Sequence, residues 1–282
     1  MRIDLHTHST HSDGTDAPAA LVDAALAAGL DVVALTDHDV MSGWDEAIMA
    51  ARAIGITVVP GVEISCERDG RSVHLLAYLV DPHDAALLAE LDLARSSRAT
   101  RLTRMVDLLA AGGIPITQDQ VAAQVPPGAT PGRPHVADAL VAAGVVATRD
   151  EAFRRWLADD SPYYVRHYAP DPAAAVALVR GAGGVPVLAH PLAARRGVAP
   201  TLALVEELAP LGLAGVEADH PDHDAAARRA VRAAARHTGV FVTGSSDYHG
   251  TGKRVRIGAE RTDPDALAAI EALGTGSAVA RP

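Results

Sequence analysis

The chain has 282 residues, of which 49% are apolar, and a formal net charge of -10 at pH 7. This composition predicts a folded globular protein with one large core, or one core with an inserted subdomain. The acidic balance argues against a broad, nonspecific nucleic-acid surface, which needs a basic stripe, although a small anionic substrate stays possible. The single cysteine, Cys66, excludes an intramolecular disulfide framework.

No apolar run reaches the roughly 20 residues needed to cross a bilayer, so we predict no membrane segment. Residues 1–5 run directly into a predicted strand, without the basic and long apolar regions of a secretory signal. Together with the single cysteine, these features predict a cytoplasmic protein. The sequence does not predict an oligomeric state.

Aliphatic and β-branched runs recur along the chain and are typical of buried parallel strands. The predicted strands are residues 2–5, 31–35, 56–59, 73–79, 185–188, 214–216 and 240–243. Between the first three runs, segments 18–28 and 43–54 have helical spacing, and each is followed by a glycine. Strand and helix therefore alternate, which predicts an α/β fold with a parallel sheet.

The alternation stops after residue 79. Residues 84–160 are mostly helical in pattern, with predicted helices at 85–111, 118–123, 134–143 and 149–158. Four prolines and two glycines between residues 125 and 134 predict a loop. We expect residues 1–83 and 161–282 to form a barrel domain and residues 84–160 to form an inserted helical cap.

Residues of the types that bind metal ions follow the predicted strands. His6 and His8 stand at alternate positions after the first run, so both imidazoles point the same way. The carboxyl ends of barrel strands meet at one rim, where residues distant in sequence come together. The candidate ligands are His6, His8, Asp13, His38, Glu63, His74, His190, Asp247 and His249. Nine ligands are too many for one ion and suit two or three.

The ligand types restrict the metal and the chemistry. Imidazole and carboxylate ligation without thiolate fits manganese, iron or zinc, and we expect manganese. Ions a few Å apart lower the pKa of a shared water towards about 7 and hold phosphoryl oxygens. Attack of hydroxide on phosphorus then needs no protein nucleophile. The ligand series therefore predicts hydrolysis of a phosphate ester.

Five short motifs carry a resemblance to a known family. They are residues 6–9 with 12–14, residues 36–39, residues 61–65, residues 189–191 and residues 246–250. In type and order they resemble the PHP (polymerase and histidinol phosphatase) metal-dependent phosphoesterases. Residues 132–135 are also similar to a stand-alone branch that includes nucleoside 3′,5′-bisphosphate phosphatases and short-RNA 5′-exonucleases.

The resemblance implies a distorted (β/α)7 barrel with a cluster of two or three metal ions. It implies His6, His8, Glu63 and Asp247 around a first ion, Glu63, His74 and His190 around a second, and Asp13, His38 and His249 around a third. Glu63 would bridge two of them. His190, His249 and Asp247 are the expected catalytic residues, although the proton donor for the leaving group is not assigned.

A second group of residues is expected to bind the substrate. The planar fork of Arg133 suits a second phosphate where the cap meets the rim. Further candidates are His135, Tyr164, Arg166 and His167, and also Arg195 and Arg196 after His190. Lys253 and Arg254 suit either a phosphate contact or an exposed loop.

The histidines outside these motifs are expected at the surface or in capping roles. Among them, His220 and His223 follow a predicted strand end near Glu217. They are therefore the first candidates for an additional role at the rim.

Three functions are open at this point. The preferred one is a phosphoesterase acting on a nucleoside 3′,5′-bisphosphate or on a short 5′-phosphorylated oligoribonucleotide. The second is a phosphatase of a small non-nucleotide phosphate, such as histidinol phosphate or a cyclic sugar phosphate. The third is a catalytically idle binding module. The expected partner is a small phosphorylated molecule rather than a long nucleic acid or a membrane.

Overall fold

Seven strands form one sheet in the computed structural model, which describes residues 1–193 and 202–282. The strands are β1 (Ile3–Asp4), β2 (Val32–Leu35), β3 (Thr57–Arg68), β4 (Arg71–Tyr78), β5 (Val185–Leu188), β6 (Gly215–Asp219) and β7 (Phe241–Gly244). Each strand lies beside the one that precedes it in the chain. All seven predicted strands are therefore present, and β3 is longer than predicted.

The sheet closes almost completely into a barrel. Thr7, after β1, forms a parallel bridge with Tyr248, after β7. The backbone N–H of His8 donates to the carbonyl of Tyr248 at 2.8 Å. The predicted α/β barrel of seven strands is thus confirmed.

The predicted parallel direction is wrong for one strand. β1, β2 and β3 are parallel, as are β5, β6 and β7, but β4 runs antiparallel to both of its neighbours. β3 and β4 are joined by Asp69 and Gly70 alone, with φ angles of 53° and 74°. Positive φ at both positions is typical of a two-residue type I′ hairpin turn, which leaves no room for a crossover helix.

Ten α-helices surround or extend the barrel within the described ranges. They are α1 (Pro18–Ala27), α2 (Trp44–Ile54), α3 (Ala85–Ala111), α4 (Gln118–Ala122), α5 (Arg133–Ala142), α6 (Arg149–Ala152), α7 (Pro172–Gly181), α8 (Ala203–Leu208), α9 (Ala225–Thr238) and α10 (Pro264–Leu273). The predicted helix 149–158 becomes a π-helical turn at Phe153–Leu157. None of the helices in the described ranges has the length and apolar character required to cross a membrane.

The barrel strands are buried on both faces. In β2, Val32 and Ala34 belong to an inner apolar cluster, whereas Val33 and Leu35 pack with residues of the outer helices. This alternation follows from the two-residue period of a strand. Both faces of the sheet are covered by apolar side chains, so its strands are rich in apolar residues.

The helical segment between β4 and β5 has an apolar cluster of its own. It includes Met105, Leu109, Val136, Leu140 and Leu157, each 1% exposed or less. The predicted cap helices are therefore present and pack on one another. The assignment of residues 84–160 as a separate subdomain stays a prediction.

Candidate metal centre and substrate cavity

The structure brings the nine predicted ligands together at one end of the barrel. Their nitrogen and oxygen atoms form overlapping groups, within each of which the atoms lie within 4.8 Å of one another. The groups are His8, Asp13, His38 and His249; His6, Glu63 and His190; His6, His8 and Asp247; His38, Glu63 and His74; and His190, His220 and Asp247. His220 is the member that the sequence did not place among the ligands.

Glu63, in β3, lies at the middle of these groups and is fully buried. Its Oε2 is 3.2 Å from His6 Nε2 and 3.1 Å from both His8 Nε2 and His38 Nδ1. Its Oε1 faces a different set of rings, those of His74 and His190. The two oxygens of one carboxylate therefore point to two positions.

The second oxygen of Glu63 contacts histidines from β4 and from the end of β5. Oε1 is 2.7 Å from His74 Nδ1 and 3.1 Å from His190 Nε2. β4 contributes His74 because the hairpin places it beside β3. This arrangement agrees with the bridging role expected for Glu63.

Asp13 lies in the loop after β1 and faces a third set of imidazoles. Its Oδ1 is 3.1 Å from His249 Nε2, and 3.9 Å from both His38 Nε2 and His8 Nδ1. These residues come from three separate strand ends. With His8, they form one of the groups that could hold a metal ion.

Asp247 connects the cluster to a lysine. Its Oδ1 is 3.4 Å from His8 Nε2 and 3.6 Å from His6 Nε2, and its Oδ2 is 3.3 Å from His220 Nε2. Lys253 Nζ donates to the same Oδ2. Asp247 thus faces His6 and His8 with one oxygen and the Lys253 ammonium with the other.

Several atoms of the cluster fit a divalent metal ion better than they fit one another. Among the described residues, Asp13 Oδ1, His38 Nδ1, Glu63 Oε2 and His74 Nδ1 are buried and have no hydrogen-bond partner. Close approach without hydrogen-bond geometry is costly for buried polar atoms. Carboxylate oxygens and imidazole nitrogens that converge in this way are the ligands that manganese, iron and zinc share.

The charges in the cluster keep its central carboxylate ionised. Burial raises the pKa of Glu63, but the charges of His38 and His74 outweigh burial and hold it well below its usual value. Burial lowers the pKa of His6, and the charges of Glu63 and Glu217 raise it well above its usual value. The site therefore offers a charged carboxylate to a cation.

Glu217, in β6, orients two of the ligands and was not predicted. It is fully buried, and its Oε1 is 3.3 Å from His6 Nδ1. Its Oε2 accepts a hydrogen bond from the backbone N–H of His190 at 3.0 Å. A carboxylate on the far nitrogen of a ligand histidine fixes the ring and its tautomer. Its position near the end of a predicted strand was the available signal.

The backbone is strained at the cluster. Asp39, His190 and Asp247 have φ angles of 54°, 24° and 51°, in the region that non-glycine residues seldom adopt. Strain of this kind persists where the surrounding structure fixes the chain and is concentrated at functional sites. Two of the three residues are predicted ligands.

A cavity of about 860 Å³ opens from the ligand cluster towards the helical segment. Of the predicted substrate-binding residues, Arg133 and Tyr164 lie on its wall, as do His167, Lys253 and Arg254. Arg195 and Arg196 lie outside the described residues.

Two predicted substrate-binding residues have other partners. His135 is 3% exposed, and its Nδ1 accepts from the backbone N–H of Gly132 at 3.0 Å, which caps α5. The side chain of Arg166 is 68% exposed and lies 3.7 Å from Glu67. It extends over the hairpin turn at Gly70 and away from the cavity. We therefore leave both residues out of the proposed substrate site.

Two arginines of α3 line the same cavity and were missed. Arg98 is buried, and its Nε lies 2.8 Å from Asp39 Oδ2. Arg101 is 4% exposed, and its Nη1 contacts His167 Nδ1 at 3.2 Å. In sequence the two arginines are three residues apart and lie among apolar residues of one helix face. This spacing was the available signal that both face the interior.

Arg133 lines the same cavity as Arg98 and Arg101, and several contacts hold its side chain. Its Nη1 donates to the carbonyl of Leu157 at 2.8 Å and to Asp159. Its guanidinium lies 5.1 Å from the ring centre of Tyr164 and 5.6 Å from that of Phe153. Arg133 is therefore partly compensated, whereas Arg101 has no carboxylate within ion-pair distance in the described part of the chain.

Known proteins are similar to this chain in sequence and in fold. Residues 4–102 match the PHP domain family. A 3′,5′-nucleoside bisphosphate phosphatase from Chromobacterium violaceum is 33% identical over 89% of this chain and 88% of its own length. A 5′-3′ exoribonuclease from Haemophilus influenzae is 37% identical over 68% of this chain and 69% of its own.

A solved structure extends the likeness to the whole fold. A Bifidobacterium adolescentis protein assigned as a metal-dependent phosphoesterase superposes with a TM-score of 0.93 at 39% identity, covering 97% of this chain and 96% of its own. Sequence and fold agree along nearly the whole length, and the ligand cluster suits metal-dependent chemistry. The chain belongs to the PHP family and is a metal-dependent phosphoesterase.

Proposed function

We propose that this protein hydrolyses nucleoside 3′,5′-bisphosphates or short 5′-phosphorylated oligoribonucleotides. The observation that carries the proposal is a single cavity with two kinds of wall. One wall holds the metal-ligand cluster, and the other holds the guanidinium groups of Arg98, Arg101 and Arg133. A substrate with two phosphates can occupy both.

The cluster is proposed to hold two or three ions, with manganese as the expected metal. His6, His8, Glu63 and Asp247 would hold the first, Glu63, His74 and His190 the second, and Asp13, His38 and His249 the third. When bound, such ions activate water and neutralise charge on phosphoryl oxygens. His190, His249 and Asp247 are the proposed catalytic residues, and a cytoplasmic location remains part of the proposal.

Arg101 is the main support for a second phosphate site. Burial, with the charges of Arg98 and Arg133, lowers the pKa of Arg101 to about 9, so the group is still charged at pH 7. Burial and the charges of Arg101 and Arg98 lower the pKa of His167 to about 2, so the ring stays neutral. A buried charge without a counter-charge is destabilising, and a phosphate supplies that counter-charge through paired hydrogen bonds.

A substrate panel tests the proposal. Manganese-loaded protein is given adenosine 3′,5′-bisphosphate, the 3′- and 5′-monophosphates, a 5′-phosphorylated RNA dinucleotide, a cyclic sugar phosphate and histidinol phosphate, and phosphate or nucleotide release is measured. We expect the bisphosphate or the dinucleotide to have the highest kcat/KM. A preference for histidinol phosphate or the cyclic ester would contradict the nucleotide assignment, and no hydrolysis by metal-loaded protein would favour the idle binding module.

A further inference from the structure

Arg149, at the start of α6, contacts two of the three barrel loops that carry the third set of proposed ligands, those of Asp13 and His249. Its Nη1 donates to the backbone carbonyl of Asp13 at 3.1 Å. The same nitrogen lies 2.2 Å from where a Cβ at Gly252 would be, so the guanidinium packs directly on the segment that follows His249. One side chain of the helical segment therefore touches both loops.

The guanidinium of Arg149 is fixed from its other side. Its Nε and Nη2 donate to Oδ1 and Oδ2 of Asp138, in α5, at 2.5 Å and 2.6 Å. Arg149 and Asp138 have side chains 12% and 26% exposed, so the pair is largely shielded from water. Paired contacts of this kind restrict orientation as well as distance.

A second contact joins the same loop to the helical segment. The backbone N–H of Thr130 donates to the carbonyl of His11 at 2.9 Å. Gly14, in the same loop, has no space for a side chain, because a Cβ there would lie 2.2 Å from the carbonyl oxygen of His8. The loop that carries Asp13 is thus packed tightly and supported from the helical segment at two points.

We propose that Arg149 is a positioning residue for the ion at the group His8, Asp13, His38 and His249. The packing of α5 and α6 on the barrel then decides whether this ion binds. The inference rests on the proposed metal centre but not on the identity of the substrate. Metal–ligand distances tolerate changes of only about 0.2 Å, so a small shift of the Asp13 loop weakens binding.

Metal binding without substrate tests this inference. Protein stripped with a chelator is dialysed against graded Mn²⁺, and bound manganese per chain is counted by elemental analysis. In R149M we expect one equivalent to bind at least tenfold more weakly, with the others unchanged, since loss of an orienting group typically costs about 10- to 100-fold in affinity. The matched control is R155M, because Arg155 is exposed, stacks on Trp156 and pairs with Glu151.

Two further variants identify the equivalent that is lost. D13A removes a ligand, and R149M/D13A should lose the same single equivalent as D13A alone. D138N retains Arg149 but weakens the pairing that holds its guanidinium. We expect the Mn²⁺ affinity of the same equivalent to fall, by less than in R149M. R149M with unchanged binding, or a double variant that loses two equivalents, would overturn the inference. Wild-type protein that binds less than two equivalents would contradict the metal centre and the inference together.

Discussion

Arg101 has a charge that the described part of the protein does not neutralise. Its Nε has no hydrogen-bond partner there, and its neighbours in the cavity include two further arginines. Natural proteins seldom bury an uncompensated charge without a use for it. The residue is therefore more informative about the substrate than Arg133, which the sequence favoured and which Asp159 already compensates.

The effect of replacing Arg101 is expected to depend on the substrate. R101M should raise KM for adenosine 3′,5′-bisphosphate by roughly 10- to 100-fold, the equivalent of a lost hydrogen bond to a charged group. KM for a monophosphate should change much less. Steady-state kinetics on both substrates measure the difference, with R104M as control because Arg104 is exposed on the same helix. An equal effect on both substrates would contradict the second phosphate site.

At the scale of the secondary structure, a buried ion pair joins α3 to the barrel, beside the apolar packing of the helix. Arg98, in α3, lies 2.8 Å from Asp39, which follows the predicted ligand His38 and is fully buried. Asp39 also accepts hydrogen bonds from the backbone N–H and the hydroxyl of Ser65, at 2.7 and 2.8 Å. Packing of the helix and geometry of the cluster are therefore connected.

Removing one partner of this pair should destabilise the fold. We expect R98L to lower the free energy of unfolding by about 3 kcal/mol, because the Asp39 carboxylate is left buried without its counter-charge. R104L, on the exposed face of α3, should change it by less than about 0.5 kcal/mol. Urea denaturation of the metal-free proteins measures both values. Equal stability of the two variants would show that the pair contributes little.

The positions of the helices and strands were predicted from the sequence, whereas the direction of β4 and the role of the α3 arginines were not. The helices and strands were recognisable because apolar spacing and glycines mark them locally. The direction of β4 was missed, although Asp69 and Gly70 between two apolar runs are a hairpin signal. The spacing of Arg98 and Arg101 among apolar residues indicates that they lie on the buried face of α3, but only the packing of α3 on the barrel shows that this face meets the cavity.

At the scale of the whole molecule, the ligand cluster depends on the folded chain. The nine predicted ligands range from His6 to His249 and follow or lie in six of the seven strands, so an unfolded chain cannot present them together. The ligand types were predictable because they occur in short motifs. His220 and Glu217 lie outside such motifs, and only the barrel shows that they face the cluster.

Metal removal should therefore lower thermal stability. Binding of one ion at a thousand times its Kd adds roughly 4 kcal/mol, which for a chain of this size corresponds to a Tm increase of roughly 10 °C. We expect a decrease of at least this size when a chelator is added, measured by differential scanning fluorimetry. E63Q removes the carboxylate charge of Glu63, so its Tm should decrease less than that of the wild-type protein when the chelator is added. Identical Tm values with and without metal would contradict a shared metal centre.

The insertion of helices between β4 and β5 has an evolutionary consequence. All nine predicted ligands come from the chain on either side of residues 84–160, whereas Arg98, Arg101 and Arg133 all come from within that segment. Because β4 and β5 are paired neighbours, the connection between them can change in length and sequence without altering the barrel register. The predicted metal ligands and the three cavity arginines are thus encoded in separate stretches of the gene, so the proposed second phosphate site can diverge while the ligand residues are retained.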